Sequence, residues 1–214
     1  MQNRLTKNDH KLLESLISKT EKQTNSQIVL AVVQRCDAYP QVPWKAFSFT
    51  ISLAMLFFMA RELFIPGWTI NAPIAQILYA MAIAVFFSLL TVFLPFFARI
   101  FLSAQEMETE VRQYAESLFL RKKIYATEKH NGVLIMLSLF ERQIIIIPDN
   151  AIKEILSDEK SQNIIAVMRP FLRQNKIRLA FEKGLEQYYQ LLKSTKVDDN
   201  ENILPDGIIE EKGI

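Results

Sequence analysis

Residues 131–147 read NGVLIMLSLFERQIIII. Asn131-Gly132 is a turn signal. Behind it stand two β-rich runs, Val133–Leu139 and Gln143–Ile147, separated only by Phe140, Glu141 and Arg142. That spacing predicts an antiparallel hairpin. Gln27–Val33 (QIVLAVV) is a third β-rich run, apolar on both faces like a buried central strand. Together with the helices, these strands predict one α/β layer domain.

The helices follow from periodicity. Thr6-Lys7-Asn8-Asp9 forms a capping box with Asp in place of Glu, and Leu12, Leu13, Leu16 and Ile17 then share one face until about Thr24-Asn25. Met107, Val111, Tyr114, Ala115 and Leu118 mark an amphipathic helix over about 105–120. Asp149 or Asn150 caps a short helix through Leu156. Helices over about 159–174, containing Pro170, and through Ile177, Phe181, Leu185, Tyr188 and Leu192 complete the set.

Between the first strand and the second amphipathic helix lies different material. Residues 46–60 read AFSFTISLAMLFFMA and residues 74–98 read IAQILYAMAIAVFFSLLTVFLPFFA; between Glu62 and Arg99 run 36 residues without a charge. Bilayer hydrocarbon, about 30 Å thick, takes roughly 20 apolar helical residues to cross. The second run suffices unaided. The first spans from Trp44 to Ile65 if Lys45 and Arg61 snorkel to the head groups. Pro66-Gly67 breaks the chain between them, and Trp44 and Trp68 stand at opposite span ends, as interfacial aromatics do. This is a transmembrane hairpin, 44–65 and 74–98. Ser48-xxx-Ser52 and Ala80-xxx-Ala84 offer close helix packing. No ionisable residue sits mid-span, so anchorage rather than transport is expected.

The 43 residues before the hairpin are too few to fold alone, and their strand has no partner there. The expectation is one split domain: residues 1–43 and 99–195 around an inserted hairpin at 44–98, with an acidic tail at 196–214. Lysine plus arginine number 25 against 23 acids, well mixed, without the basic run of a nucleic-acid-binding protein. The single cysteine, Cys36, excludes an intramolecular disulfide and a cysteine-based zinc site. Residues 1–26 are polar and do not read as a signal peptide, so the hairpin is expected to direct insertion. Arg35, Lys45, Arg99 and Arg112 flank the hairpin, whereas the loop has only Arg61 beside Glu62. Both termini and the folded domain are therefore expected in the cytoplasm.

The segments LTKNDHKLLESLISKTEKQTNSQIVLAVV, AESLFLRKKIYATEKHNGVLIMLSLFERQIIIIPDNAI and the two terminal helices resemble the TPM domain family, over roughly 5–33 and 105–193. Its members include a thylakoid acid phosphatase, a photosystem II repair factor and a receptor modulator. A membrane-bound branch is similar in carrying hydrophobic spans at the same place. The resemblance implies an α/β fold, a three-layer α/β/α sandwich on a small mixed sheet. It also implies a divalent cation, calcium or magnesium, near the turns that start the strands.

If the first two strands are parallel and joined by a right-handed crossover, Asn25, Ser26, His130, Asn131, Pro148 and Asp149 gather at one sheet end. The metal candidates there are Asp149, Asn131, His130 and nearby Glu128. His130 stands where the family's turn usually has an acid, which removes a hard oxygen ligand. Asp149 also reads as a helix cap, so weak or absent cation binding is expected. No Ser/His, P-loop or metalloprotease pattern is present, and no catalytic residue is assigned. His10 reads as a solvated helix residue, and Glu210-Glu211 as solvated tail acids. The expected function is a membrane-anchored interaction module in assembly, repair or quality control of membrane proteins. Its partners would be the bilayer and another membrane protein, with no nucleic acid. The alternative, carried by the resemblance, is a tethered metal-dependent phosphatase.

Overall fold

The computed structural model describes residues 5–64, 72–193 and 207–213. Pro66-Gly67, Trp68, Ile203-Leu204 and most of the acidic tail lie outside them. Contacts divide the chain into two units, residues 1–37 with 108–214, and residues 38–107.

The first unit is a sheet between helices. Helix α1 (Lys7–Thr24) starts with the expected capping box, Thr6 and Asp9 exchanging side-chain and backbone bonds, and ends at Asn25 in the left-handed conformation. The Thr6 hydroxyl and backbone N–H, both donating to Asp9, hold its carboxyl below the ordinary range. Strand β1 (Gln27–Arg35) pairs in parallel with β2 (Gly132–Ser138), which pairs antiparallel with β3 (Gln143–Pro148). The predicted hairpin is therefore present, in the register Ser138 opposite Gln143.

One face of the sheet packs on α1, α6 (Asn150–Lys153), α7 (Asp158–Arg173) and α8 (Ile177–Leu192). Its core joins Leu30, Ile135, Ile164, Met168, Phe181 and Tyr188. The other face packs on α5 (Ala104–Arg121) through Val29, Ala31, Leu134 and Met136 against Val111, Ala115 and Leu118. Burial of consecutive strand residues is thus explained by one helical layer per face. Each fully buried Leu or Ile contributes about 1.5–3 kcal/mol relative to exposure.

The sequence reading placed no strand in the tail. Ile209–Gly213 forms β4, parallel to β1, and completes the order β3-β2-β1-β4. A strand with one isoleucine and a run EEKG has no period-2 apolar signature, and its partner fixes it instead.

Two glutamates are buried within this unit. Glu21 accepts from the backbone N–H of Ile28 at 2.6 Å, where α1 turns into β1. Glu141, 4% exposed in the β2–β3 turn, accepts from the backbone N–H of Cys36 at 2.9 Å and from the Ser138 hydroxyl. Cys36 itself is 2% exposed. Burial, reinforced by the nearby Glu141 carboxylate, pushes its thiol up to about 12. At pH 8 the folded protein is expected to react with iodoacetamide roughly a thousandfold more slowly than the unfolded chain, because only thiolate attacks. Mass spectrometry of timed alkylations checks this; equal rates would contradict the burial.

The second unit holds α2 (Gln41–Phe64), α3 (Ala72–Phe93) and α4 (Pro95–Ile100). Gln41–Phe64 and Ile74–Phe93 are each long and apolar enough to cross a membrane, and the most apolar stretch of the first is wholly unburied within the structure. The second span was expected to reach residue 98. It stops at Phe93, because Pro95 forces Leu94 out of the helical region and starts α4 anew. Ala80 and Ala84 are fully buried where α2 and α3 pack, whereas Ser48 and Ser52 are exposed, with Ser52 bonding the Ser48 carbonyl. The Ser88 hydroxyl donates to the Pro43 carbonyl at 3.0 Å and ties the two helices. Lys45 sits 2.6 Å from Glu106. That ammonium, with the Ser103 backbone and hydroxyl, holds the Glu106 carboxyl down at about 2.

Candidate functional site

The parallel pairing of β1 with β2 brings the two strand starts together, Gln27 opposite Gly132. The turn before β2 then meets the loop before β1. His130 takes a positive φ of 50°, which redirects the chain into the strand. Gly132 follows because a Cβ there would collide with the Ile124 carbonyl of the 3₁₀ turn Ile124–Ala126.

Asn131 is fully buried and acts as a clasp. Its side-chain Nδ2 donates to the Asn25 carbonyl at 2.7 Å, its backbone N–H donates to the Thr127 hydroxyl at 3.1 Å, and its carbonyl accepts from Gln27 at 3.0 Å. Its Oδ1 is buried without a hydrogen-bond partner among the described residues. Asp149, 7% exposed, arrives from the end of β3. One carboxylate oxygen accepts from the Asn150 N–H at 2.7 Å and the other lies 3.3 Å from His130 Nδ1. Its backbone N–H donates to the Gly132 carbonyl and the His130 carbonyl accepts from Ala151, so both turns are stitched together. His130 remains 58% exposed.

The structure therefore gathers His130, Asn131 and Asp149, with Asn25 beside them. Glu128 is exposed on the preceding turn. A hard divalent cation takes roughly six to eight oxygen ligands for calcium and near-octahedral oxygens for magnesium. This corner supplies one carboxylate with both oxygens already engaged, one amide oxygen and an imidazole. As placed, these residues do not fit a calcium or magnesium site. Among the described residues no group of three or more His, Cys, Asp or Glu is arranged to hold a metal ion.

The chemistry on view is that of a cap. Asp149 precedes α6 in extended conformation, as its place before a helix predicts. Asp149→Ala is expected to cost about 1 kcal/mol, the usual loss for a cap, in urea unfolding of the purified protein. A loss several-fold larger would mean that the carboxylate holds more than a helix start.

Sequence reasoning missed three polar anchors. Glu21 and Glu141 are charged residues that periodicity assigns to a surface or turn. His10 was expected to be solvated, yet its Nε2 meets Glu210 Oε1 at 3.0 Å. The Glu210-Glu211 pair is correspondingly not free tail. Glu211 accepts from Tyr114 Oη at 2.6 Å and from Arg121 at 2.9 Å.

An α/β/α sandwich on a mixed four-stranded sheet, with its clasped turns at one sheet end, defines the class. Residues 100–191 match the model of the TPM domain family. Among solved structures, the NMR structure of the BA42 protein from the psychrophilic bacterium Bizionia argentinensis is similar, with a TM-score of 0.56 and 15% identity. The alignment covers 96% of this chain and 94% of that one, a likeness of fold. No curated protein matches the chain.

Proposed function

We propose that the protein is a membrane-anchored TPM-type interaction module acting in assembly, repair or quality control of other membrane proteins. Its partners are the bilayer and a membrane protein, and both termini with the folded domain lie in the cytoplasm. The observation that carries the reading is the state of the Asp149 corner. Its carboxylate caps α6, and the backbone N–H and Nδ2 of Asn131 lock the neighbouring turns. Support for anchorage comes from α2 and α3, whose large side chains Phe57, Leu63, Phe86 and Phe93 are left exposed within the structure. The charge bias of the hairpin flanks supports the orientation.

The competing reading is a divalent-cation-dependent phosphatase. The two separate on one experiment with the full-length protein in lipid nanodiscs. Hydrolysis of para-nitrophenyl phosphate with calcium or magnesium is expected to equal that of Asp149→Ala. Photo-crosslinkers placed at Phe57 or Phe86 in native membranes are expected to yield a discrete membrane-protein adduct. Cation-stimulated turnover that disappears in Asp149→Ala would overturn the module in favour of the enzyme.

A further inference from the structure

The strand β4 sits on the sheet as a bound peptide does. It is five residues long, half-exposed along its length, and among the described residues pairs only with β1, with Ala31 opposite Ile209 and Arg35 opposite Gly213. β1 is by contrast buried over Gln27–Val33 and held on its other side by β2. Side chains of the segment alternate between the two faces. Ile208 packs into the core beneath α1, α7 and α8, and Ile209 into the core beneath α5. Glu210 then meets His10 of α1, and Glu211 meets Tyr114, Arg121 and Lys122 of and beside α5. Burial and the hydrogen bond to Glu211 raise the Tyr114 phenol, so it stays a donor. At the end, Gly213 has a φ of 78°, and a Cβ there would collide with the Arg35 carbonyl.

Each of these contacts reads one position of an extended segment: two apolar residues, two acids, any residue, then glycine. The basic and hydroxyl donors belong to the domain, and the acids to the segment. The polar pairs are partly open to solvent, Glu211 being the more sheltered of the two acids at 24% exposure, so screening keeps their hold on the segment moderate. An edge strand held by so few buried groups opens at low free energy. Its departure opens the β1 backbone groups that face it between Ala31 and Val33, while those that face β2 stay paired, and this half-open edge favours a replacement strand.

We propose that the β1 edge is a peptide-binding site for an extended acidic segment of a partner protein, joined by strand addition, and that Gly207–Gly213 occupies it in cis as a displaceable pseudo-ligand. The inference deepens the interaction reading above and rests on it for its cellular role. Its own test needs neither a membrane partner nor a phosphatase assay, so the two can fail separately.

The test uses the full-length protein in nanodiscs with a protease recognition sequence placed within residues 194–206. The probe is a fluorescent peptide of residues 207–214, GIIEEKGI. The uncut protein is expected to take up little peptide. The cut protein is expected to stay folded by circular dichroism and to exchange its severed strand for the probe saturably. Probes carrying Glu211→Lys, which sets a cation against Arg121 and Lys122 and removes the acceptor of Tyr114, or Gly213→Val, which collides with the Arg35 carbonyl, are expected to bind roughly tenfold or more weakly. Three results would overturn the proposal: loss of the fold on cutting, a folded cut protein that takes up no probe, or equal binding of the altered probes. Dimerisation by strand exchange between copies in place of peptide uptake would also overturn it, and would assign the edge to a second copy.

Discussion

Residues 99–214 expressed alone are expected to be unfolded, whereas the chain with residues 44–98 replaced by a short Gly/Ser linker is expected to be soluble and to unfold in one transition. The reason lies in the strand order. β1 is the shared neighbour of β2 and β4, and both of those follow the insertion in sequence. Removing residues 1–43 takes away α1 and the strand between them, together with Leu13, Ile17 and Leu30 from one core and Val29 and Ala31 from the other. The four large side chains alone, at about 1.5–3 kcal/mol each, sum to about 6–12 kcal/mol, as much as the roughly 5–15 kcal/mol that separates a folded domain from its unfolded chain. The linker variant keeps both cores whole, since their residues all fall in 1–37 and 108–214. Urea titration followed by circular dichroism and by tryptophan-independent near-ultraviolet signals checks this. Two separated transitions, or a natively stable 99–214 fragment, would contradict it.

Glu141→Ala is expected to cost about 3 kcal/mol, three times the loss at Asp149. Glu141 is almost wholly buried, and its two oxygens serve the Cys36 N–H and the Ser138 hydroxyl, both also buried. Alanine would leave two donors unpaired in the interior, and each such orphan costs about 1–3 kcal/mol. Glu141→Gln keeps one carbonyl oxygen and is expected to lose about half as much. Denaturant midpoints of the two variants, measured in the soluble linker background, decide the matter. A Glu141→Ala loss under about 0.5 kcal/mol, the size of an ordinary surface change, would show that water reaches the site.

The difference between Asp149 and Glu141 shows what the amino-acid order made legible. Strands β1, β2 and β3 and helices α1, α5, α7 and α8 are visible because their apolar residues repeat at a period set by local geometry. Asp149 is visible for a related reason, since an acid directly before a helix has a local use. Glu141 and Glu21 have no local signature. Their hydrogen bonds reach Cys36 and Ile28, and in the case of Glu141 across 105 positions of chain. β4 fails the same way: IEEKG becomes a strand only because Tyr114, Arg121 and His10 stand ready on neighbouring helices. At the clasped corner the juxtaposition of His130, Asn131 and Asp149 followed from a parallel β1–β2 pair. The engagement of both Asp149 oxygens did not, because it depends on rotamers that sequence spacing leaves open. The end of α3 at Phe93 was readable at Pro95, where the restricted backbone of the preceding residue outweighs an unbroken apolar run.

The proposed anchor is the inserted hairpin formed by the two apolar helices Gln41–Phe64 and Ile74–Phe93. The most direct measurement is alkaline carbonate extraction of membranes that contain either the full-length protein or the linker variant lacking residues 44–98. The account predicts that the full-length chain stays in the membrane pellet while the linker variant leaves with the supernatant in folded form. Release of the full-length chain by carbonate would contradict the anchor.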